Sequence, residues 1–375
     1  MTERQRIITV FNGKTPDRAP FMLDLSHYYY EKFQKEWNIT GGHYAKPDIE
    51  LIEYHRKFDV GFYLPNQSLQ YITHYPENVQ ITTLTEMVNN VPQITWKYET
   101  PIGIIIRSRI WEPSSYSWAI NKWGVTTEQD LKVLAYALSS RTYEPNIADY
   151  NEWNKAVGDL GIVYLLPGYS AMGYILSYWM GIENTMYAVV DWNNTMHEVV
   201  EQINTNNLEL IKILAEYPDA PGILMGDNFS SDIQPPSFFN EWSADYYKKA
   251  ISIIHKGGKK TAVHVDGRLR NAIGMIRDCG ADIIDAVTPT PMGDLSPQQC
   301  RNEAGDALIL SGGVSPDLWL PSVPMDRFRQ AVMDWLEIRK RSSALIANAG
   351  DQVPPKAEEC RIEVMRELVE KYGQY

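Results

Sequence analysis

Cysteine is scarce in this chain: Cys279, Cys300 and Cys360 are the three in 375 residues, and no two stand in a C-x-x-C spacing. So sparse and odd a set excludes a disulfide-stapled scaffold and gives the expectation of a reducing, cytoplasmic compartment. Basic charge is also short, with 35 Lys and Arg against 47 Asp and Glu and a formal net charge of −12. That balance argues against a nucleic-acid partner, because phosphate binding needs a dense basic face. Long apolar runs are missing too. None reaches the ~18 residues of a membrane span, and the stretch from Thr2 to Arg18 alternates charged and apolar groups instead of forming the apolar core of a signal peptide. No membrane partner is expected. Absent as well are a G-x-G-x-x-G turn, a Walker A loop and a G-x-S-x-G elbow around Ser170, which weakens dinucleotide binding and serine-hydrolase chemistry as readings.

What the chain does have is apolar and aromatic: 44% hydrophobic residues, with 11 Trp, 23 Tyr and 9 Phe, enough to build one large core. Thr2 to Gly13 reads as a short helix with Thr2 as N-cap and Gly13 as its stop, after which Pro16 and Pro20 push the chain into an extended Phe21–Asp24 segment. A helix over Pro47–Lys57 and a strand over Val60–Leu64 follow. From Ser68 to Ile110 short alternating stretches such as Gln80–Leu84, Gln93–Tyr98 and Gly103–Arg107 read as antiparallel strands. They are taken as a β-hairpin insertion over 68–125 in a single domain spanning 1–375, since no long polar linker bounds them.

After Gly161 the rhythm becomes apolar strand, turn, amphipathic helix, repeated. Strands are expected at Gly161–Leu166, Gly222–Gly226, Lys260–Val265, Asp282–Ala286, Ala307–Ser311 and Ala344–Asn348. Between them, from Asp191 to Tyr217, Met196, Val199, Val200, Ile203, Leu210, Ile211 and Leu214 recur at helical spacing. Short strands buried on both sides imply an all-parallel sheet, and this many βα units close most economically into an α/β fold of the (β/α)8 TIM barrel type. A doubly wound open sheet is the alternative.

In a barrel, chemistry sits at the C-terminal ends of the strands. Those positions here hold Asp24, Pro167-Gly168, Asp227-Asn228, His264 to Gly267, Asp285, Gly312 to Ser315 and Asn348 to Asp351. One imidazole among several carboxylates offers nitrogen and oxygen donors to a divalent metal, from His264, Asp266, Asp351, Asp227 and Asp285. The bland reading of each is a helix cap or a hydrogen-bonded structural residue. Asp227 is also placed to orient a substrate or donate a proton. None of the cysteines falls at a strand end, so no thiol nucleophile is expected. Aromatics follow the first strand (Tyr28, Tyr29, Tyr30, Trp37) and the hairpins (Trp111, Tyr116, Trp118, Trp123). Tyr28, Tyr29 and Trp118 are the candidate substrate contacts among them, walling an apolar pocket for a ring or a methylated cation, with core packing as the competing reading.

Several segments in order carry a resemblance: Thr2–Arg6 with Asn12–Pro20, Thr126–Lys132, Pro167-Gly168, Gly226–Asn228, His264–Gly267, Gly312–Val314, and Asn348–Asp351 before Val353–Pro355. Together they resemble the uroporphyrinogen decarboxylase superfamily, which also contains the corrinoid (cobalamin)-dependent methyltransferases. The resemblance implies a barrel with its site in the C-terminal mouth. Decarboxylases of this family carry an R-Q-A-G-R segment after the first strand and a histidine in an N-L-G-H-G turn, whereas this chain has Leu25–Tyr30 and Asp351 there. The methyltransferases bind zinc with an H-x-C pair and a second Cys. Here His264 matches the histidine, while Asp266 and Asp351 stand where the two thiolates would be.

The resemblance therefore implies a divalent metal held by His264, Asp266 and Asp351, zinc first, with the harder oxygen donors also admitting manganese or iron. It implies a corrinoid-dependent methyltransferase or demethylase in which His264 and Asp227 are catalytic. The methyl group would move between a small methylated substrate, methoxy-aromatic or methylamine in type, and a cobalamin. The chain has no D-x-H-x-x-G motif of its own, so the cobalamin is expected on a partner, a corrinoid carrier protein. A metal-independent lyase of the decarboxylase type and a non-catalytic binding subunit are the alternatives. Exposed aromatic or hairpin surface would suit a homodimer.

Overall fold

Thr2 caps the first helix, Glu3–Phe11, in a reciprocal box: its hydroxyl accepts the Gln5 amide, and the Gln5 side chain accepts the Thr2 amide. Gly13 follows at φ +66°, the left-handed turn that glycine makes without strain. This is a computed structural model, and it describes residues 1–35, 46–63 and 70–375. Trp37 and the Leu64 end of the expected second strand lie outside the described residues. Among those residues no helix is long and apolar enough to cross a membrane.

The strands, numbered in chain order, are β1 (Met22–Leu23), β2 (Gly61–Phe62), β3 (Tyr71–His74), β4 (Gln80–Val88), β5 (Val91–Thr100), β6 (Gly103–Glu112), β7 (Ser117–Lys122), β8 (Thr142–Pro145), β9 (Gly222–Phe229), β10 (Lys260–Val265), β11 (Ile283–Val287), β12 (Ile309–Val314) and β13 (Leu345–Ala349). β9 to β13 form a five-stranded parallel sheet in chain order, and β1 pairs with β2 in parallel. Isolated parallel bridges join Phe21 to Ala347, Phe62 to Gly161 and Leu165 to Ile223. The α/β class and the parallel sheet are thus present, but the expected ring of eight continuous strands is not: at three joins a single bridge replaces a ladder. One of those joins, and the β1–β2 ladder beside it, bring backbones together too closely for a side chain. A Cβ on Gly61 would lie 2.4 Å from the Phe21 carbonyl oxygen, and one on Gly161 would lie 2.3 Å from that of Phe62.

Alternation along the strands builds the core on both faces. On one face Met22, Ile162, Leu224, Ala262, Ile283, Ile309 and Ile346 pack together with Ile7, Val10 and Phe11 of the first helix. On the other, Leu23, Val263, Ile284, Leu310 and Leu345 pack against the helices, among them Asn193–Ala215, which buries Leu210, Ile211 and Leu214. Each fully buried isoleucine stabilises by about 1.5–3 kcal/mol relative to exposure. The alternation also sets the chemistry. Two residues beyond Met22, Ala262, Ile283, Ile309 and Ile346 the same face presents Asp24, His264, Asp285, Ser311 and Asn348.

Residues 80–122 form a four-stranded antiparallel sheet in the order β4-β5-β6-β7. Asn89 and Asn90, both at positive φ, make the two-residue turn between β4 and β5. The chain leaves along β3 and returns along β8, which pair antiparallel. One face of this sheet, through Ile105 and Tyr98, packs on Ile175 and Trp179 of the 171–179 segment and on Leu131 and Leu134 of the helix Glu128–Ser139.

Candidate active site

Neighbouring strands β10 and β11 pair His264 with Asp285. The His264 Nδ1 lies 2.9 Å from Asp285 Oδ2, and the Tyr63 hydroxyl donates to the same oxygen. The other oxygen, Asp285 Oδ1, is buried without a hydrogen-bond partner among the described residues, as are Asn348 Oδ1, Ser311 Oγ and the Tyr164 hydroxyl. Buried polar atoms are rarely left unpaired, and such a group calls for water, an ion or a ligand.

Charge in this cluster is lopsided. Burial alone would lower the His264 pKa, but the hydrogen bond and charge of Asp285, helped by Asp351 and Asp266, raise it to about 9. Burial pushes Asp351 up to about 6 against the pull of His264, with Asp266 and Asp285 adding repulsion. Asp24 is pushed up to about 7, first by burial and then by Asp351 and Asp285, despite hydrogen bonds from Ser26. The loop carrying Asp351 is pinned over the strand ends: Gly350 donates to the Val314 carbonyl at 2.6 Å and Val353 to that of Asp24 at 2.8 Å. A Cβ on Gly350 would meet Thr288 Oγ1 at 2.5 Å, so the pinning depends on glycine.

His264, Asp266 and Asp351, expected as metal ligands, are thus brought within electrostatic reach of one another. Among the described residues, however, no three His, Cys, Asp or Glu side chains gather closely enough to hold a metal ion. The donors nonetheless fit one chemically. A carboxylate on Nδ1 fixes the tautomer and orients the ring of a metal-binding histidine, leaving Nε2 for the ion, and the orphaned Asp285 and Asn348 oxygens are acceptors.

Asp227 is 3% exposed and tightly held. The Ser170 amide donates to its Oδ1 at 2.6 Å and the Tyr247 hydroxyl to its Oδ2 at 2.8 Å. Burial raises its pKa against those hydrogen bonds. It borders a cavity of about 230 Å³ shared with Trp123, Leu176, Asn228 and Ser230, beside one turn of π-helix at Ile175–Trp179. Tyr28 and Tyr29 line none of the cavities described among these residues. Both are buried in the core, Tyr29 against Phe33 and Tyr54, and the Tyr28 hydroxyl is 3.2 Å from Glu359. Seven residues of short helix, Ser26–Lys32, turn this aromatic run inward. Trp118 sits on β7 opposite Trp111, with ring centroids 5.4 Å apart.

The strand-end residues Asp24 and Asp285 belong to the cluster although the resemblance assigns them no role. Tyr63 had no sequence signal. Arg107 and Arg109 lie outside the strand ends, and their sequence signal is two arginines at i and i+2 inside the isoleucine-rich strand β6.

Comparison with known proteins follows the same outline. The family model described as uroporphyrinogen decarboxylase (URO-D) matches residues 169–372. No curated protein matches the chain significantly. Among solved structures, a methyltransferase from Methanosarcina mazei superposes with a TM-score of 0.64 at 12% identity, covering 99% of each chain. A type I 3-dehydroquinate dehydratase from Clostridium difficile, at 12% identity over 52% of this chain and 80% of its own, has a TM-score of only 0.26. With more than half its length matched by the family model, the chain belongs to the uroporphyrinogen decarboxylase family.

Proposed function

We propose that this protein is a methyltransferase that moves a methyl group between a small methylated substrate, methoxy-aromatic or methylamine in type, and a cobalamin carried by a partner protein. The observation that carries the reading is the His264–Asp285 pair at the C-terminal ends of parallel strands, ringed by Asp24, Asp266 and Asp351. With the three bridges counted, the parallel segments follow one another in cyclic order, and we read the whole chain as a (β/α)8 barrel with this cluster in its mouth. The similar fold of a solved methyltransferase supports the same reading.

Asp285 orients His264 through Nδ1, which leaves Nε2 as the free ring nitrogen, and Asp266 and Asp351 lie within electrostatic reach of the ring. Asp24, raised to about 7 by burial and then by Asp351 and Asp285, is suited to protonate a departing oxygen or nitrogen. Asp227 holds the Ser170 turn at the edge of the neighbouring cavity. His264, Asp266 and Asp351 are the residues that would hold a divalent cation, with zinc the first candidate; bound, it would stabilise the negative charge developing on the leaving atom.

A metal-independent lyase is the second reading, and the His264–Asp285 contact favours it, because an imidazolium held by that carboxylate would grip a substrate carboxylate directly. Elemental analysis of protein purified without chelators, beside Asp351→Ala, separates the two. Stoichiometric metal that the variant loses supports the methyltransferase site. Negligible metal that cannot be restored sinks it in favour of the lyase.

A further inference from the structure

Away from the histidine cluster, Arg107 and Arg109 project from one face of β6 toward the 171–179 segment. Arg107 is 9% exposed. Its guanidinium carbon lies 4.1 Å from the ring centroid of Trp96, 5.0 Å from that of Trp179 and 5.3 Å from that of Tyr178. Arg109, less buried, lies 4.5 Å from the Tyr178 ring centroid. Nε and Nη1 of Arg107 and Nε of Arg109 are buried and make no hydrogen bond among the described residues. Other deeply buried arginines are held by the backbone: Arg361 donates to the Leu318 and Val323 carbonyls, Arg301 to those of Gly305, Leu308 and Ala344, and Arg141 to that of Leu138 and to Asn207.

Aromatic rings cover the faces of a guanidinium and leave its in-plane N–H edge free. That edge matches a planar carboxylate, which accepts two parallel charge-assisted hydrogen bonds. Among the described residues no carboxylate pairs with either arginine, and two adjacent cations without a counter-charge are unfavourable when desolvated, so an arrangement that keeps them together asks for an anion. The walls add a second requirement. Trp96 lies beside the pair, and Trp111, the next residue on the same face of β6, packs edge-on against Trp118, so the surroundings of the pair suit an aromatic body. The site is also near the described cavity. The Tyr178 ring is 4.7 Å from Tyr169, whose neighbour Ser170 donates to Asp227.

We propose that Arg107 and Arg109 form a binding site for the carboxylate of a small aromatic acid. As a statement of substrate class this rests on the methyl-transfer reading; as a binding site it stands independently of it. The test is calorimetric titration of the full chain with benzoate, phenylacetate and para-methoxybenzoate against their neutral amides, with no corrinoid present. The acids should bind roughly ten- to a hundredfold more tightly than the amides. Arg109→Gln and Arg107→Gln should erase the difference, and Arg109→Lys should keep part of it. Melting temperatures guard against misfolding: wild type should be stabilised by the acids, whereas folded Gln variants should not. Acids that bind no better than amides, or Gln variants that keep the preference, would overturn the site while leaving the methyl-transfer reading untouched. Acid binding without methyl transfer to a corrinoid would do the reverse.

Discussion

Replacing Asp285 by Asn leaves the shape of the His264 partner nearly unchanged and removes its charge. In the chelator-treated wild type, His264 titrates at about 9 instead of its ordinary 6.5, a difference worth about 3 kcal/mol of folding stability. The sign follows from linkage. A base whose folded pKa is raised stabilises the native state fully below its unfolded pKa of 6.5 and loses that contribution as pH rises through about 9. The amide introduced by Asp285→Asn carries no charge, so His264 falls toward its ordinary value. Asp351 and Asp266 remain as weaker partners, which makes about 3 kcal/mol an upper bound. Urea denaturation of both proteins across this range should show the wild type's advantage larger below pH 6.5 than above pH 9 by up to that amount, and NMR of the His264 ring should follow the same titration. A stability difference that does not change with pH, or a wild-type His264 that titrates below 6.5, would refute the reasoning.

His55 is fully buried, and burial lowers its pKa to about 4. Here the folded value is depressed, so stability should fall as pH drops from 6.5 to about 4, by about 3 kcal/mol in all; His55→Met should flatten that part of the urea-denaturation profile, and an unchanged slope would assign it to other groups. Gly161→Ala drives a Cβ to within 2.3 Å of the Phe62 carbonyl oxygen, whereas Gly226→Ala meets nothing within 4 Å. The first should destabilise by about 3 kcal/mol and the second by much less, and equal melting temperatures for the two would show that the bridge between Phe62 and Gly161 is not a tight join.

The parallel sheet was legible because its strands carry a local signal: Lys260–Val265 is found within the bounds that its apolar run predicts, and the strand expected at Ala344–Asn348 shifts by one residue to Leu345–Ala349. The joins were not legible, since a single bridge such as Leu165 to Ile223 depends on long-range geometry and not on the residues beside it. The strand-end rule singles out His264, Asp266, Asp285 and Asp351, which the fold brings within electrostatic reach of one another. It could not find Tyr63, whose contact with Asp285 spans 222 residues of sequence. Tyr28 and Tyr29 illustrate the opposite ambiguity. An aromatic run after a strand serves a pocket or a core equally well, and only the packing against Phe33 and Tyr54 decides for the core. The arginines of β6 were hidden by the same ambiguity: charged residues in a strand read as a solvated face until the 171–179 segment covers them.

The most direct test of the central claim is anaerobic spectroscopy of a Co(I) corrinoid carrier mixed with this protein and methyl donors, including para-methoxybenzoate and methylamines. Loss of the Co(I) spectrum with growth of methyl-Co(III), abolished by His264→Ala in a variant that still folds, is the predicted result. No methyl-cobalt with any donor, or formation that His264→Ala leaves unchanged, would contradict a methyl-transfer site built on His264 and Asp285.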